Sequence, residues 1–113
     1  MNLTRQQISA LTDTELNRAM IWLYPTDGRV WTDGFFYYCS SRGGLAHLLD
    51  WDLTMPLAVE NNVSTINESG NCWAGTDAMA GDGLLYMEND VINKNPLRAI
   101  CECLVLTALE QKK

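Results

Sequence analysis

The first amphipathic pattern along the chain predicts a helix that follows Thr12. Apolar residues recur every three or four positions across Leu16–Leu23, which places them on one face and turns Asn17 and Arg18 outward. Thr12 suits the N-cap of this helix, and Glu15 three residues later completes a capping box. The helix should end near residue 24, because a proline follows and disfavours helical backbone at the residue before it.

The middle of the chain carries aromatic and β-branched runs that favour strands. Arg29–Thr32 and Phe35–Cys39 are predicted strands, joined as a hairpin through the turn pair Asp33-Gly34. A second helix is predicted over Pro56–Asn61, because proline suits the first turn of a helix and asparagine its end.

The second half of the chain contains another β region, followed by a helix. Three strand pieces are predicted, separated by turns at residues 68–71 and 81–83: Val63 with Thr65, Cys72–Ala74 and Leu84–Asp90. Asn95 then provides an N-cap, with Pro96 at the first helical position. The elements therefore alternate between helices and strands, which predicts an α+β fold: a small antiparallel sheet packed against two or three helices, with a buried C-terminal helix.

That last helix is unusually apolar. From Leu97 to Leu109 three residues interrupt the apolar ones: Arg98, Glu102 and Thr107. A helix on the outside of a two-layer domain needs a single apolar stripe, so this one should be covered on more than one side. Either the first helix flanks it within the chain, or a second copy packs on it as a homodimer through residues 96–109.

Length and composition indicate one folded domain over residues 1–113. Hydrophobic residues make up 47% of the chain and charged residues 19%, which is typical of a globular protein. The formal net charge of −6 disfavours direct binding to nucleic acid and favours a basic partner, including a host protein built to hold nucleic acid. No run resembles a signal peptide or a membrane span, so we expect a cytoplasmic protein with reduced thiols and no membrane contact.

Candidate metal chemistry is weak. Cys101 and Cys103 lie two apart in the predicted last helix, about 200° apart around its axis, so they cannot clasp one ion together and are better explained as core residues. A looser zinc set would combine Cys39, His47 and Cys72, although their spacing matches no known ligand frame. We expect no catalytic residues, metal or cofactor; the alternative is a small metal-binding protein or metal-dependent enzyme that uses this set or the Asp50/Asp52 carboxylates.

Aromatic residues beside acidic ones indicate a surface that binds protein. The chain has four tryptophans, and four consecutive aromatic residues at 35–38 must divide between two faces of a strand. One face can enter the core, while the other needs a helix or a partner to cover it; a single ordinary core is the competing interpretation. The candidate partner-binding residues are Trp31, Phe36, Tyr38, Asp50, Trp51, Asp52, Asp77 and Asp82.

Several short motifs, in order along most of the chain, resemble the NinX-like family of small proteins encoded by lambdoid phages and prophages. They are Leu11-Thr12-Asp13 with Glu15-Leu16 and Ala19, Tyr38-Cys39, Trp51 with Pro56-Leu57 and Glu60-Asn61, Trp73-Ala74 and Lys94–Ala99. The family has no established activity, so the resemblance implies a phage accessory protein and transfers no site. With the acidic charge, it favours a non-enzymatic protein that binds and inhibits or redirects a host protein, such as a defence or nucleic-acid-handling factor.

Overall fold

The computed structural model describes residues 3–24 and 51–111. The strands form one antiparallel sheet in the order β1-β2-β3, and the helices pack against it and against each other, which confirms the α+β prediction. The strands predicted at 29–32 and 35–39 lie outside the described residues. The elements are α1 (Arg5–Ser9), α2 (Asp13–Leu23), α3 (Trp51–Glu60), β1 (Val63–Glu68), β2 (Asn71–Gly81), β3 (Leu84–Asn93) and α4 (Pro96–Gln111).

The two N-terminal helices begin with the same local device. In α2 the hydroxyl of Thr12 accepts a hydrogen bond from the backbone N–H of Glu15, whose carboxylate accepts one from the N–H of Thr12, as predicted. A second capping box, between Thr4 and Gln7, starts α1. The outward position predicted for Asn17 is wrong, because this side chain is fully buried. Tertiary packing covers α2 beyond its apolar stripe.

Helix α3 differs from its prediction. It includes Trp51, so Pro56 lies inside the helix and not in its first turn. The proline has no N–H to donate to the carbonyl of residue 52. Thr54 and Ala58, on either side of it in the helix, are buried. The helix ends at Glu60, one residue before the predicted end at Asn61, and Asn62 has left-handed backbone (φ 58°).

The three strands have unequal lengths. β1 pairs with β2 from Glu68 opposite Asn71 to Val63 opposite Thr76, where it ends. The pairing of β2 with β3 continues to the turn at residues 82 and 83. The hairpin therefore extends beyond β1 as a two-stranded ribbon, residues 77–87, which we call the arm.

Helix α4 forms the centre of the core, as predicted. Ten of its 16 residues are buried. It contacts all three strands and each of the other described helices, and the hydroxyl of Tyr24 in the C-cap of α2 donates to the carbonyl of Leu104 at 2.7 Å. The apolar residues around α4 are therefore covered within the chain, and a second copy is not needed to bury them.

A polar cluster joins α4 to the loop between α1 and α2. The Nε of Arg98 donates to Oε2 of Glu102 at 2.7 Å, and another guanidinium nitrogen donates to the carbonyl of Leu11 at 2.6 Å. A third bond reaches the exposed carboxylate of Asp13. Asn95 caps α4 as predicted, accepting from the N–H groups of its second and third residues. The cluster satisfies the one carboxylate buried inside α4.

Candidate functional site

The arm begins at two β-bulges on opposite strands. Between the Thr76–Glu88 and Met79–Tyr86 pairs, β2 has two residues where β3 has one. On the core side of the Thr76–Glu88 pair, β3 has two residues where β2 has one. Each bulge contains a residue in left-handed backbone, Asp77 on β2 and the asparagine at position 89 on β3, both with φ 52°. Bulges bend a strand and increase its twist, so they set the direction in which the arm leaves the sheet.

The base of the arm is held by contacts with the α3–β1 connection. The Oδ1 of Asp77 accepts from Nδ2 of Asn62 at 2.8 Å, and the N–H of Asp77 donates to the carbonyl of Asn62 at 3.2 Å. Gly75 allows the strands to approach closely here, because a Cβ at this position would lie 2.6 Å from the Cβ of Met87. These contacts fix the arm at its attachment to the domain.

The tip of the arm is a two-residue turn. Asp82 and Gly83 both have left-handed backbone, with φ 52° and 78°, which is the geometry of a type I′ hairpin turn. Asp82 is exposed. At about 3.3 Å per residue, the five residues of β2 from 77 to 81 carry this carboxylate roughly 15 Å beyond the end of the three-stranded sheet.

One face of the arm is apolar and exposed. Residues that face each other across an antiparallel pair project to the same side, so Met79, Tyr86 and Leu84 share a face. Their exposed fractions are 68%, 55% and 59%. The arm thus presents three large apolar side chains outside the core.

The charged side chains of the sheet that carries this face are all acidic. From Val63 to Asn93 there is no Lys or Arg, and five residues are acidic: Glu68, Asp77, Asp82, Glu88 and Asp90. A cleft of about 350 Å³ beside the base of the arm is lined by four carboxylates, from Glu60, Asp77, Glu88 and Glu110. The apolar face is therefore set in negatively charged surroundings.

One of these carboxylates has a structural role. Oδ2 of Asp90 accepts from the indole Nε1 of Trp73 at 2.9 Å, and Oδ1 accepts from the guanidinium of Arg5 at 3.0 Å. Partial burial opposes ionisation, but these two hydrogen bonds and the charge of Arg5 outweigh it and lower the pKa of Asp90. Asp90 therefore connects β3 to α1, and both of its carboxylate oxygens accept hydrogen bonds within the chain.

The predicted partner-binding residues fall into three groups. Trp31, Phe36, Tyr38 and Asp50 lie outside the described residues. Trp51 is 46% exposed at the start of α3, and the backbone of Asp52 follows it within the helix. Asp77 and Asp82 lie at the two ends of the arm, where Asp77 is hydrogen-bonded to Asn62.

The apolar residues of the arm were missing from that prediction. The signal for them was present: the predicted strand begins Leu84-Leu85-Tyr86-Met87, with no polar residue on either face, although it follows a tight turn. A second exposed apolar row lies on α3, where Trp51, Met55 and Val59 recur at four-residue spacing.

The described residues show no centre for metal or thiol chemistry. Within residues 3–24 and 51–111, no three His, Cys, Asp or Glu side chains are grouped so that they could hold a metal ion. Cys72, Cys101 and Cys103 are buried cysteines in the thiol form. Burial raises the pKa of Cys101 to about 12 and that of Cys103 to about 11, so both are protonated near neutral pH and are poor nucleophiles. Cys39 and His47 of the zinc set lie outside the described residues.

Comparison of the chain with protein-family models, with curated proteins and with solved structures finds no match. In the described part of the chain, no helix has both the length and the apolar character that crossing a membrane requires.

Proposed function

We propose that this chain is a non-enzymatic accessory protein of phage or prophage origin that binds a host protein and inhibits or redirects it. The arm is its docking surface. The observation that carries the proposal is the exposed apolar face formed by Met79, Leu84 and Tyr86 beyond the end of the core.

The arm is an unfavourable structure to leave uncovered. A two-stranded ribbon has little stability of its own in water. Three large side chains, each more than half exposed, offer roughly 300 Å² of apolar surface, the size of the largest patch on a typical monomer and often a functional one. Covering it would contribute on the order of 7 kcal/mol before the entropic cost of association, which supports a protein partner.

The proposal that the partner is a host protein rests on the resemblance to the NinX-like family. The short motifs shared with that family point to a phage accessory gene, and small acidic phage proteins often act on host defence or nucleic-acid-handling factors. The acidic surroundings of the arm support the same class of partner, because many such factors present basic surfaces.

A capture experiment with a matched control tests the proposal. The full chain is immobilised, incubated with enterobacterial lysate and compared with Leu84→Asp and Val59→Asp. Each substitution places a carboxylate at an exposed apolar position, on the arm or on α3 (59% and 74% exposed). We expect a stoichiometric partner with the unchanged chain and with Val59→Asp, and its loss with Leu84→Asp, while all three chains melt at similar temperatures.

Two results would count against the proposal. If no stoichiometric protein is retained at any salt concentration, the chain does not act by binding a host protein from that lysate. If Val59→Asp loses the partner while Leu84→Asp keeps it, the docking surface is the exposed row on α3.

A further inference from the structure

The charges at the two ends of the apolar face indicate what kind of protein surface it fits. Along β3, residues two apart project to the same side, so Leu84, Tyr86 and Glu88 form one row. Glu88 is exposed at the base of the arm, and Asp82 is exposed at the tip. The apolar row therefore has a carboxylate at each end, separated by roughly 20 Å along the strand.

We propose that the arm docks a protein surface that has an apolar centre flanked by lysine and arginine side chains. This inference rests on the proposed function and specifies the chemistry of its partner. The apolar centre covers Met79, Leu84 and Tyr86, while the flanking cations reach the carboxylates of Asp82 and Glu88. Complementary charges of this kind set the orientation of docking and accelerate association.

A second copy of the chain fits this surface poorly. Two arms packed face to face in antiparallel orientation would bring Asp82 of each near Glu88 of the other, and like charges directly opposite each other are destabilising. The sheet has no Lys or Arg between Val63 and Asn93 to offset the repulsion. The same charges repel the phosphates of nucleic acid and of anionic lipid surfaces. A basic protein is the occupant that satisfies both the apolar centre and the acidic ends.

The test uses two peptide probes of opposite charge and the full chain. One blocked heptapeptide has three apolar residues between two pairs of lysines, and the other has glutamates in place of the lysines. Each is titrated into the isotope-labelled chain at low salt, and amide chemical shifts are followed by NMR. We expect the lysine peptide to shift the amides of Met79, Leu84 and Tyr86, with binding that weakens as salt is added, and the glutamate peptide to bind at least tenfold more weakly.

Charge variants then test the two carboxylates. Asp82→Asn combined with Glu88→Gln should weaken binding of the lysine peptide roughly three- to tenfold, the range expected for losing two surface ion pairs. Glu68→Gln is the matched control, because it neutralises an exposed carboxylate of the same sheet at the end of β1, away from the arm. Its affinity should equal that of the unchanged chain.

Three outcomes would overturn the inference: equal affinity for both peptides, shifts confined to α3, or an unaffected double variant. Self-association of the chain through the arm in the absence of peptide would instead identify a second copy as the occupant. A chain that captures a host protein through Leu84 yet does not distinguish the peptides keeps the proposed function and loses this inference. If the lysine peptide binds the arm while the lysate yields no partner, the inference about a basic, apolar-centred surface is retained and the proposed binding of a host protein is contradicted.

Discussion

The buried carboxylate of Glu102 allows a quantitative test of the core. Its side chain is 1% exposed, and it accepts hydrogen bonds from Nε of Arg98 at 2.7 Å and from Nδ2 of Asn93 at 3.3 Å. Arg98 is itself only 13% exposed. Glu102→Gln keeps the size and shape of the side chain, removes its charge and leaves Arg98 without its buried counterion.

The expected loss follows from this burial. Removing one partner of a buried ion pair costs about 3–5 kcal/mol, because the remaining charge stays desolvated. Arg98 keeps the carboxylate of Asp13 and the carbonyl of Leu11, so we expect a value near the lower end, about 3 kcal/mol. That is a large part of the stability of a domain of this size.

Urea unfolding followed by far-UV circular dichroism measures the change. At a slope of about 1–3 kcal/mol per molar urea, the midpoint should fall by roughly 1–3 M. Asp13→Asn is the matched control, since it neutralises the other carboxylate bound to Arg98. Because Asp13 is 65% exposed, its removal should cost less than about 1 kcal/mol. Equal losses for Glu102→Gln and Asp13→Asn would refute the reasoning, as they would show that burial does not decide the strength of the two ion pairs.

Two further predictions concern the sheet. Gly75→Ala should destabilise the domain by about 1–3 kcal/mol in the same urea assay, because the added Cβ would lie 2.6 Å from the Cβ of Met87. Gly81→Ala is the control and should change stability little, since a Cβ at that position would have no atom within 4 Å. Equal effects of the two substitutions would contradict the close approach of the strands at Gly75. The lowered pKa of Asp90 means that its contribution to stability is full above the unfolded pKa, near 3.8, and is lost as pH falls through the lower folded value. The stability difference between the unchanged chain and Asp90→Asn should therefore shrink below about pH 4, and a difference independent of pH would contradict this.

Local signals in the sequence were sufficient for several elements. The capping box at Thr12 and Glu15, the cap at Asn95 with Pro96, and the turn at Asp82-Gly83 all act within four residues. Each satisfies its own hydrogen bonds or backbone geometry regardless of what packs nearby, so reading the sequence in short windows locates it. The alternation of these elements then predicted the α+β class, which the structure confirms.

Tertiary structure decided which of those residues are buried and which are exposed. The helical pattern places Asn17 toward solvent, and it marks Glu102 as a polar residue within an apolar run. Both side chains are nevertheless buried, because elements distant in sequence pack around α2 and α4. The arm likewise depends on β1 ending opposite Thr76 while β2 continues. This difference in strand length cannot be predicted from the sequence of either strand alone. Periodicity assigns a side chain to a face, but only the packed neighbours determine whether that face meets the core, solvent or a partner.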